Sequence, residues 1–315
     1  MLGPIKPFEP VIAEEKPKGG DWIAQIKWDG VRMLSYFDGR QVSLVNRKLN
    51  NRTLQYPEFL SPARYCNASS FILDGEMIAL SNGKPSFHEI MKRDSLRSAL
   101  SIGRGVKQTQ VTYMIFDVLF CNGAWVVDQS LQERQHLLES IIIPQNDVQI
   151  VRNFMDAEAL YALMEQHHME GIIYKNVKST YLIDGKDRRW QKRKVMRDLY
   201  AVIGGVTFRG KVVNSLLLGL YDESGRLVYI GHAGTGKLSN QEWRDLTQRI
   251  EPDVRVSRPF INEPERNKDA VWLEPKLTVK VQFLEWTPGL TMRQPSIQAI
   301  NPVPIKQCTV TQMHL

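Results

Sequence analysis

Cysteine is scarce in this chain: three residues in 315, at Cys66, Cys121 and Cys308. The number is odd and no CxxC pair occurs, which argues against a disulfide framework and a cysteine zinc cluster and for a reducing compartment. Histidine does not supply a metal site either, because His167 and His168 are adjacent, and neighbours on a helix point in different directions. No apolar run approaches the roughly 20 residues that a membrane span needs. The opening MLGPIKPFEP has neither a basic stretch leading into an apolar one nor an Arg-rich transit pattern, so a cytoplasmic location away from membranes is expected. Internal repeats and low-complexity tracts are missing. Acidic residues are in deficit, with 41 Lys plus Arg against 34 Asp plus Glu, a formal net charge of +7. That surplus favours a polyanionic partner, although many basic proteins without one share it.

What is present reads as two folded domains. Hydrophobic residues make up 43% and charged residues 24%, and the length corresponds to two domains of roughly 150 residues. In the first two thirds, DWIAQIKWD, FILDGEMIAL, VTYMIFDVLF and EGIIYK predict strands. Ser130 with Glu133 forms a capping-box pattern ahead of one helix, and Asp156 stands as N-cap ahead of another. The texture is α+β. After Val195 it changes to short strands broken by Gly, Asn, Asp and Pro, with one helix near QEWRDLTQRI. This predicts an all-β domain, a five-stranded barrel of the OB type, with Asp253–Asp269 as a long exposed loop. The expected domains are 1–197 and 198–315, joined near Met196–Tyr200.

The most informative segment is Lys27-Trp28-Asp29-Gly30-Val31-Arg32. With a side-chain period of two, Lys27 and Asp29 share one face while Trp22, Ala24, Ile26 and Trp28 share the other. Gly30 permits close backbone approach, and Arg32 offers a planar fork to a phosphate. A crowded or desolvated lysine amine can act as a nucleophile on phosphorus. An exposed Lys–Asp pair at a hairpin end explains the same residues.

Other polar pairs stand in apolar surroundings. Asp74 and Glu76 interrupt a strand, where two carboxylates on one face need a cation, a metal or a ligand hydroxyl; a strand-end turn is the alternative. Phe116 reads as core, or as a face for a purine. Glu170 and Lys175 bracket apolar residues. Asp184 to Arg197 holds seven basic residues against two acidic ones, with Trp190, Lys192 and Lys194 on one strand face. A solvated basic strand or a phosphate-binding face would look alike.

In order, KWDGVR, DGE, YMIFD, EGIIYK and WQKRK resemble the collinear motifs of the covalent nucleotidyltransferases, and most closely of ATP-dependent DNA ligases of the minimal bacterial or phage type, similar to the ligase domain of bacterial end-joining ligases. The resemblance runs from about Asp21 to Ser296. It includes Arg47 followed by Tyr56-Pro57-Glu58, Leu131 with Glu133-Arg134, and Tyr181 with Gly185-Lys186. GGVTF, LLLGLYD, YIGHAGTG and WLEPKLTVKVQFLEWT resemble the ligase OB-fold.

The resemblance implies an α+β nucleotidyltransferase (adenylation) domain with antiparallel sheets followed by the OB-fold domain, with ATP and Mg²⁺ or Mn²⁺ as cofactors. Lys27 would take AMP from ATP as a lysyl phosphoramidate. Asp29 would lie with the nucleotide, while Arg32 and Arg47 would engage the nucleotide and the 5′-phosphate of a nick. Glu76 would hold the ribose and Phe116 would stack on adenine. Glu170 would serve the metal, with Asp74 and Glu76 beside it. Lys192 and Lys194 would bind the α-phosphate, and Arg293 on the OB domain would orient pyrophosphate. An Asp-Lys element expected after Arg293 is not obvious; Ile305-Lys306 is the nearest approach.

Nicked double-stranded DNA is the implied substrate of a monomer, with an end-binding or polymerase protein as a further partner. Neither an N-terminal DNA-binding domain nor a polymerase, nuclease, zinc-ribbon or BRCT module is expected from this reading. RNA ligation or capping would use the same core motifs. Two alternatives lie outside this chemistry. Gly231-His-Ala-Gly-Thr-Gly236-Lys237 fits GxxxxGK of a P-loop, although Leu238 then stands where a hydroxyl belongs. A nucleic-acid-binding module with a vestigial lysine is the other.

Overall fold

A computed structural model describes residues 3–265, 267–300 and 303–313. They divide into two compact units, Met1–Val195 and Met196–Leu315.

The first unit is built on two sheets. One has the order β1 (Glu9–Ile12), β12 (Lys186–Lys194), β11 (Gly171–Asn176), β2 (Trp22–Ile26). The other runs β10 (Val148–Ile150), β8 (Thr112–Cys121), β5 (Phe71–Ile78), β3 (Val31–Phe37), β4 (Val42–Asn46), with β9 (Ala124–Trp125) on β8. The remaining pair is a small hairpin, β6 (Leu80–Ser81) with β7 (Lys84–Pro85). The sheets are mixed rather than wholly antiparallel, because β1 lies parallel to β12 and β10 parallel to β8. Both exceptions are short edge strands reached by long connections, which a tight hairpin could not supply.

Helices fill the outer faces. α1 (Phe87–Asp94) and α2 (Ala99–Gln108) precede β8; α3 (Leu131–Ile141) packs Leu138 and Ile141 into the cluster behind β5 and β8. α4 (Ala157–Gln166) covers β2 and β11 through Ala157, Leu160 and Met164. The sequence signals for two of these hold: Ser130 and Glu133 form a full capping box, and the Asp156 side chain accepts from the Ala159 amide. Between the sheets, Phe8, Tyr181 and Trp190 meet Leu34, Tyr36, Ile72 and Leu119 in one buried cluster.

The second unit contains β13 (Arg197–Arg209), β14 (Val212–Tyr221), β15 (Leu227–Ala233), α5 (Asn240–Arg249), β16 (Val254–Arg255), β17 (Val271–Leu273), β18 (Thr278–Phe283) and β19 (Ser296–Ile300). The expected five-stranded barrel is corrected to a seven-stranded sheet among the described residues. The reason is the length of β13: it pairs β14 along one edge and carries both β18 and β17 along the other. Nor is Asp253–Asp269 simply an exposed loop, since it includes β16 and Phe260, whose ring is buried against Gly204 and Gly219. The GxxxxGK segment is likewise structural. Gly231 belongs to β15, the Lys237 amide donates to the Ile297 carbonyl, and Ser239 caps α5 with Glu242.

Candidate active site

The lysine segment is fixed by backbone. β2 ends at Ile26, and the Lys27 amide donates to the Gly171 carbonyl at 2.9 Å. The Val195 amide closes the other side by donating to the Glu170 carbonyl at 3.0 Å. Gly171 has φ +133°, and a Cβ there would lie 2.2 Å from the Arg193 carbonyl oxygen, so only glycine fits. Gly30 has the same demand from β5, where a Cβ would meet the Met77 carbonyl oxygen at 2.2 Å. Because β2 stops early, the strict alternation expected for this segment fails at Trp28. Trp22, Ala24 and Ile26 pack under α4, whereas Trp28 joins Ile78, Met114, Val151 and Phe116.

These constraints bring three of the predicted residues together. The Lys27 Nζ donates to Glu170 Oε2, and Lys194 Nζ lies 3.3 Å from Glu170 Oε1. One nearly buried carboxylate therefore sits between two ammonium groups. Lys192 faces the same space: burial, then the charges of Lys194 and Lys27, push its amine below the ordinary range. Cations outnumber the acid, which is the field a phosphate would find.

A second cluster lies on β3 and β5. Arg32 is directly across from Glu76, and Leu34 from Asp74. Arg32 donates through Nε and Nη2 to the two oxygens of Asp74 at 2.9 and 2.6 Å, and through Nη1 to the Phe8 carbonyl at 2.6 Å. Tyr181 donates its hydroxyl to Asp74 Oδ2 at 2.8 Å and accepts the Phe8 amide. Asp74 is fully buried with both oxygens taken, so its place is to hold Arg32, and the metal role expected for it does not fit. Glu76 is half-buried. Its carboxyl is pushed up to about 8 chiefly by burial, which Lys27 and Arg32 counter only in part.

Sequence reasoning left Lys175 out of the site. Its side chain is buried, its Nζ lies 4.2 Å from the Phe116 ring centroid and 3.9 Å from that of Trp190, and among the described residues it has no hydrogen-bond partner. Burial lowers its amine to about 7. The available signal was a charged residue inside the apolar strand Gly171–Asn176, on the same face as Ile173. Phe116 itself is half-buried, edge-on to Trp190 at 5.9 Å and 5.3 Å from the Arg32 guanidinium carbon.

Asp29 follows Lys27 by two residues and is half-buried. Arg47 is exposed beyond β4 and lies 3.4 Å from Glu9. Arg293 belongs to the second unit, where its Nη1 donates to Glu285 Oε1 at 2.6 Å. Lys306 is exposed in a short 3₁₀ turn, Ile305–Gln307.

No cluster of three or more His, Cys, Asp or Glu ligands forms among the described residues. Glu170 with Glu76, whose charges act on each other, nevertheless fits the way Mg²⁺ is usually held, by one or two carboxylates with substrate phosphates and water completing the shell.

Comparison with known proteins decides the family. Residues 6–194 match the family described as ATP dependent DNA ligase domain, and residues 209–303 that described as ATP dependent DNA ligase C terminal region. The chain belongs to the ATP-dependent DNA ligases. It is 30% identical over 292 residues to the multifunctional non-homologous end joining DNA repair protein LigD of Mycobacterium tuberculosis, covering 90% of this chain and 37% of the relative. A DNA ligase of Methanothermobacter thermautotrophicus is 30% identical over 324 residues, 95% of this chain and 57% of the relative. The chain thus spans less than two thirds of the length of these curated relatives. Among solved structures, mycobacterial DNA ligase D complexed with ATP and MES is similar over 97% of this chain and 98% of that one, with 27% identity and a TM-score of 0.55.

Membership bears out the adenylation and OB-fold reading and the use of ATP with a divalent metal. Enzymes of this family join DNA strands through a lysyl-AMP intermediate, which leaves the P-loop and non-catalytic alternatives without support. No helix among the described residues is long and apolar enough to cross a membrane.

Proposed function

We propose that this chain seals nicks between a 3′-hydroxyl and a 5′-phosphate in duplex DNA, with Lys27 as the nucleotide-accepting amine. The observation that carries the reading is the convergence of Lys27 and Lys194 on Glu170, with Lys192 in the field of both lysines. In the first step the Lys27 lone pair forms a bond to the α-phosphorus of ATP as the bond to pyrophosphate breaks. The Glu170 carboxylate, already accepting from Lys27, stands next to the proton that must leave. Lys192 and Lys194 neutralise charge on the α-phosphate, and a divalent ion held by Glu170 and Glu76 would add to that neutralisation. In the second step an oxygen of the 5′-phosphate displaces Lys27 from phosphorus, with Arg47 on the incoming phosphate. In the third, the 3′-hydroxyl attacks the 5′-phosphorus and AMP leaves.

The same reading puts adenine on Phe116, the ribose hydroxyls on Glu76, and Asp29 beside the nucleotide. Arg32, gripped by Asp74 and Tyr181, engages the nucleotide and the 5′-phosphate together with Arg47. Arg293 serves the pyrophosphate in the first step. The enzyme works as a monomer in the cytoplasm, and the likeness to LigD favours an end-joining setting with an end-binding or polymerase partner.

The test uses Mg²⁺ and α-labelled ATP, followed by denaturation. Label is expected to stay on the protein as an acid-labile adduct, to be absent from Lys27→Ala, and to be discharged by nicked DNA. Retention of label by Lys27→Ala would remove the assignment. Discharge by nicked RNA but not nicked DNA would move the substrate to RNA.

A further inference from the structure

The turn that carries Arg47 is braced by a polar clamp outside the pocket. The turn is closed from within: Asn46 Oδ1 accepts the amides of Lys48 and Asn50, the Leu49 amide donates to the Asn46 carbonyl, and Leu49 has φ +62°. Its far leg returns through Arg52, whose amide donates to the Leu44 carbonyl at 2.7 Å. The Arg52 side chain then donates from Nε to Asp94 Oδ2 at 3.2 Å, at the end of α1. The second Asp94 oxygen accepts the Tyr56 hydroxyl at 3.2 Å. Asp94 is 4% exposed and Tyr56 fully buried.

The neighbouring residue grips the same segment from the other side. Arg93 is fully buried and donates to the Gln55 carbonyl at 2.7 and 3.0 Å and to the Glu58 carboxylate at 2.8 and 2.9 Å. Gln55 Nε2 returns a bond to the Leu96 carbonyl at 2.8 Å. Tyr56 and Glu58 of the Tyr-Pro-Glu element therefore act in this junction.

Apolar packing would close such a junction without the cost of burying a carboxylate. What the ionic clamp adds is direction: it fixes Arg52, and with it the last leg of the turn, relative to α1. We propose that Asp94, acting through Arg52, is a positioning residue that holds the Arg47 turn in place for the 5′-phosphate of the nick. This rests on the nick-sealing reading above.

The experiment isolates the second step. Lysyl-AMP enzyme is prepared with ATP, freed of ATP, and mixed with a 5′-phosphorylated nick in single turnover. Asp94→Asn is expected to slow AMP transfer to DNA by about 10-fold to 100-fold, the scale of a misplaced contact group, while its rate of lysine adenylation stays within about twofold. Combining it with Arg47→Ala is expected to add nothing further to the loss in transfer. Arg52→Lys keeps the charge but loses the fork, and is expected to show the same selective loss if Asp94→Asn fails to fold. Equal slowing of both steps, or effects that multiply with those of Arg47→Ala, would overturn the proposal. Failure of the unsubstituted protein to form any lysyl adduct would instead overturn the nick-sealing reading.

Discussion

Two ionic clusters a few residues apart in sequence are built in opposite ways. In the interior, Asp74 and Asp117 face each other across β5 and β8, matched by Arg32 and by Arg134, which reaches Asp117 at 2.8 and 2.9 Å. Both members of the Asp117–Arg134 pair are fully buried. Lys175 is the surplus cation there, and burial lowers its amine to about 7. At the rim, Glu170 meets both Lys27 and Lys194, with Lys192 beside them. The balanced cluster keeps its own accounts closed and holds shape. The unbalanced one is left incomplete for an anion to finish. Charge stoichiometry, more than burial, separates scaffold from site.

Breaking the rim cluster has the largest expected effect. Glu170→Gln leaves Lys27 and Lys194 without the anion between them and removes the proton acceptor next to the nucleophile. Lysine adenylation should fall by about 10²-fold or more, the range of a lost general base, with little change in the denaturation midpoint. An adenylation rate within threefold of the unsubstituted protein would show that the carboxylate is only a spectator.

Breaking the interior cluster should act on stability instead. Arg134→Met strands the Asp117 carboxylate in the core, which costs about 3–5 kcal/mol. The measurement is chemical denaturation, paired with the adenylation rate per folded molecule. A loss in that rate larger than the loss of folded protein would mean that the interior pair belongs to the chemistry after all.

How far the sequence disclosed this contrast depends on the residue. Lys27, Glu170, Lys192 and Lys194 were readable because their motifs recur in order, and the strands and caps around them obey local rules. Asp74 was misread as a metal ligand because sequence shows only a carboxylate in a strand. Its assignment to Arg32 and Tyr181 needs four segments brought together: Phe8, β3, β5 and the loop ahead of β12. The role of Phe8 could not be seen at all, since it works through its backbone amide and carbonyl. The barrel expected for the second unit failed on strand length, as nothing in a run of short apolar segments says that β13 will take two partners on one edge.

A smaller effect sharpens the comparison through pH. The Glu76 carboxyl stands at about 8 in the folded chain against about 4.3 unfolded. The folded state therefore holds this proton more tightly, and the stability so gained is complete below about pH 4.3 and declines as pH rises toward 8. Lys175, lowered to about 7, contributes in the opposite sense and only as pH rises above that value. Denaturation midpoints between pH 5 and 7 isolate Glu76: the advantage of the unsubstituted protein over Glu76→Gln should shrink across that interval. A constant difference would mean that the carboxyl titrates in its ordinary range.

The smallest effect tests whether incompleteness extends beyond the lysines. Glu9 and Arg47 are both solvent-accessible and 3.4 Å apart, so their attraction is worth about 0–1 kcal/mol. Glu9 also lies in the field of Lys192. It is ion-paired with the arginine assigned to the 5′-phosphate, and DNA must outcompete it. Glu9→Gln frees Arg47 at no cost in volume, and affinity for a 5′-phosphorylated nick should tighten by up to about fivefold at low salt, fading as ionic strength rises. The control is a nick ending in a 5′-hydroxyl. Tightening confined to the phosphorylated nick places Glu9 as a stand-in for the phosphate; equal tightening on both would reduce it to general repulsion of DNA, and the rim of unmet positive charge would end at the lysines.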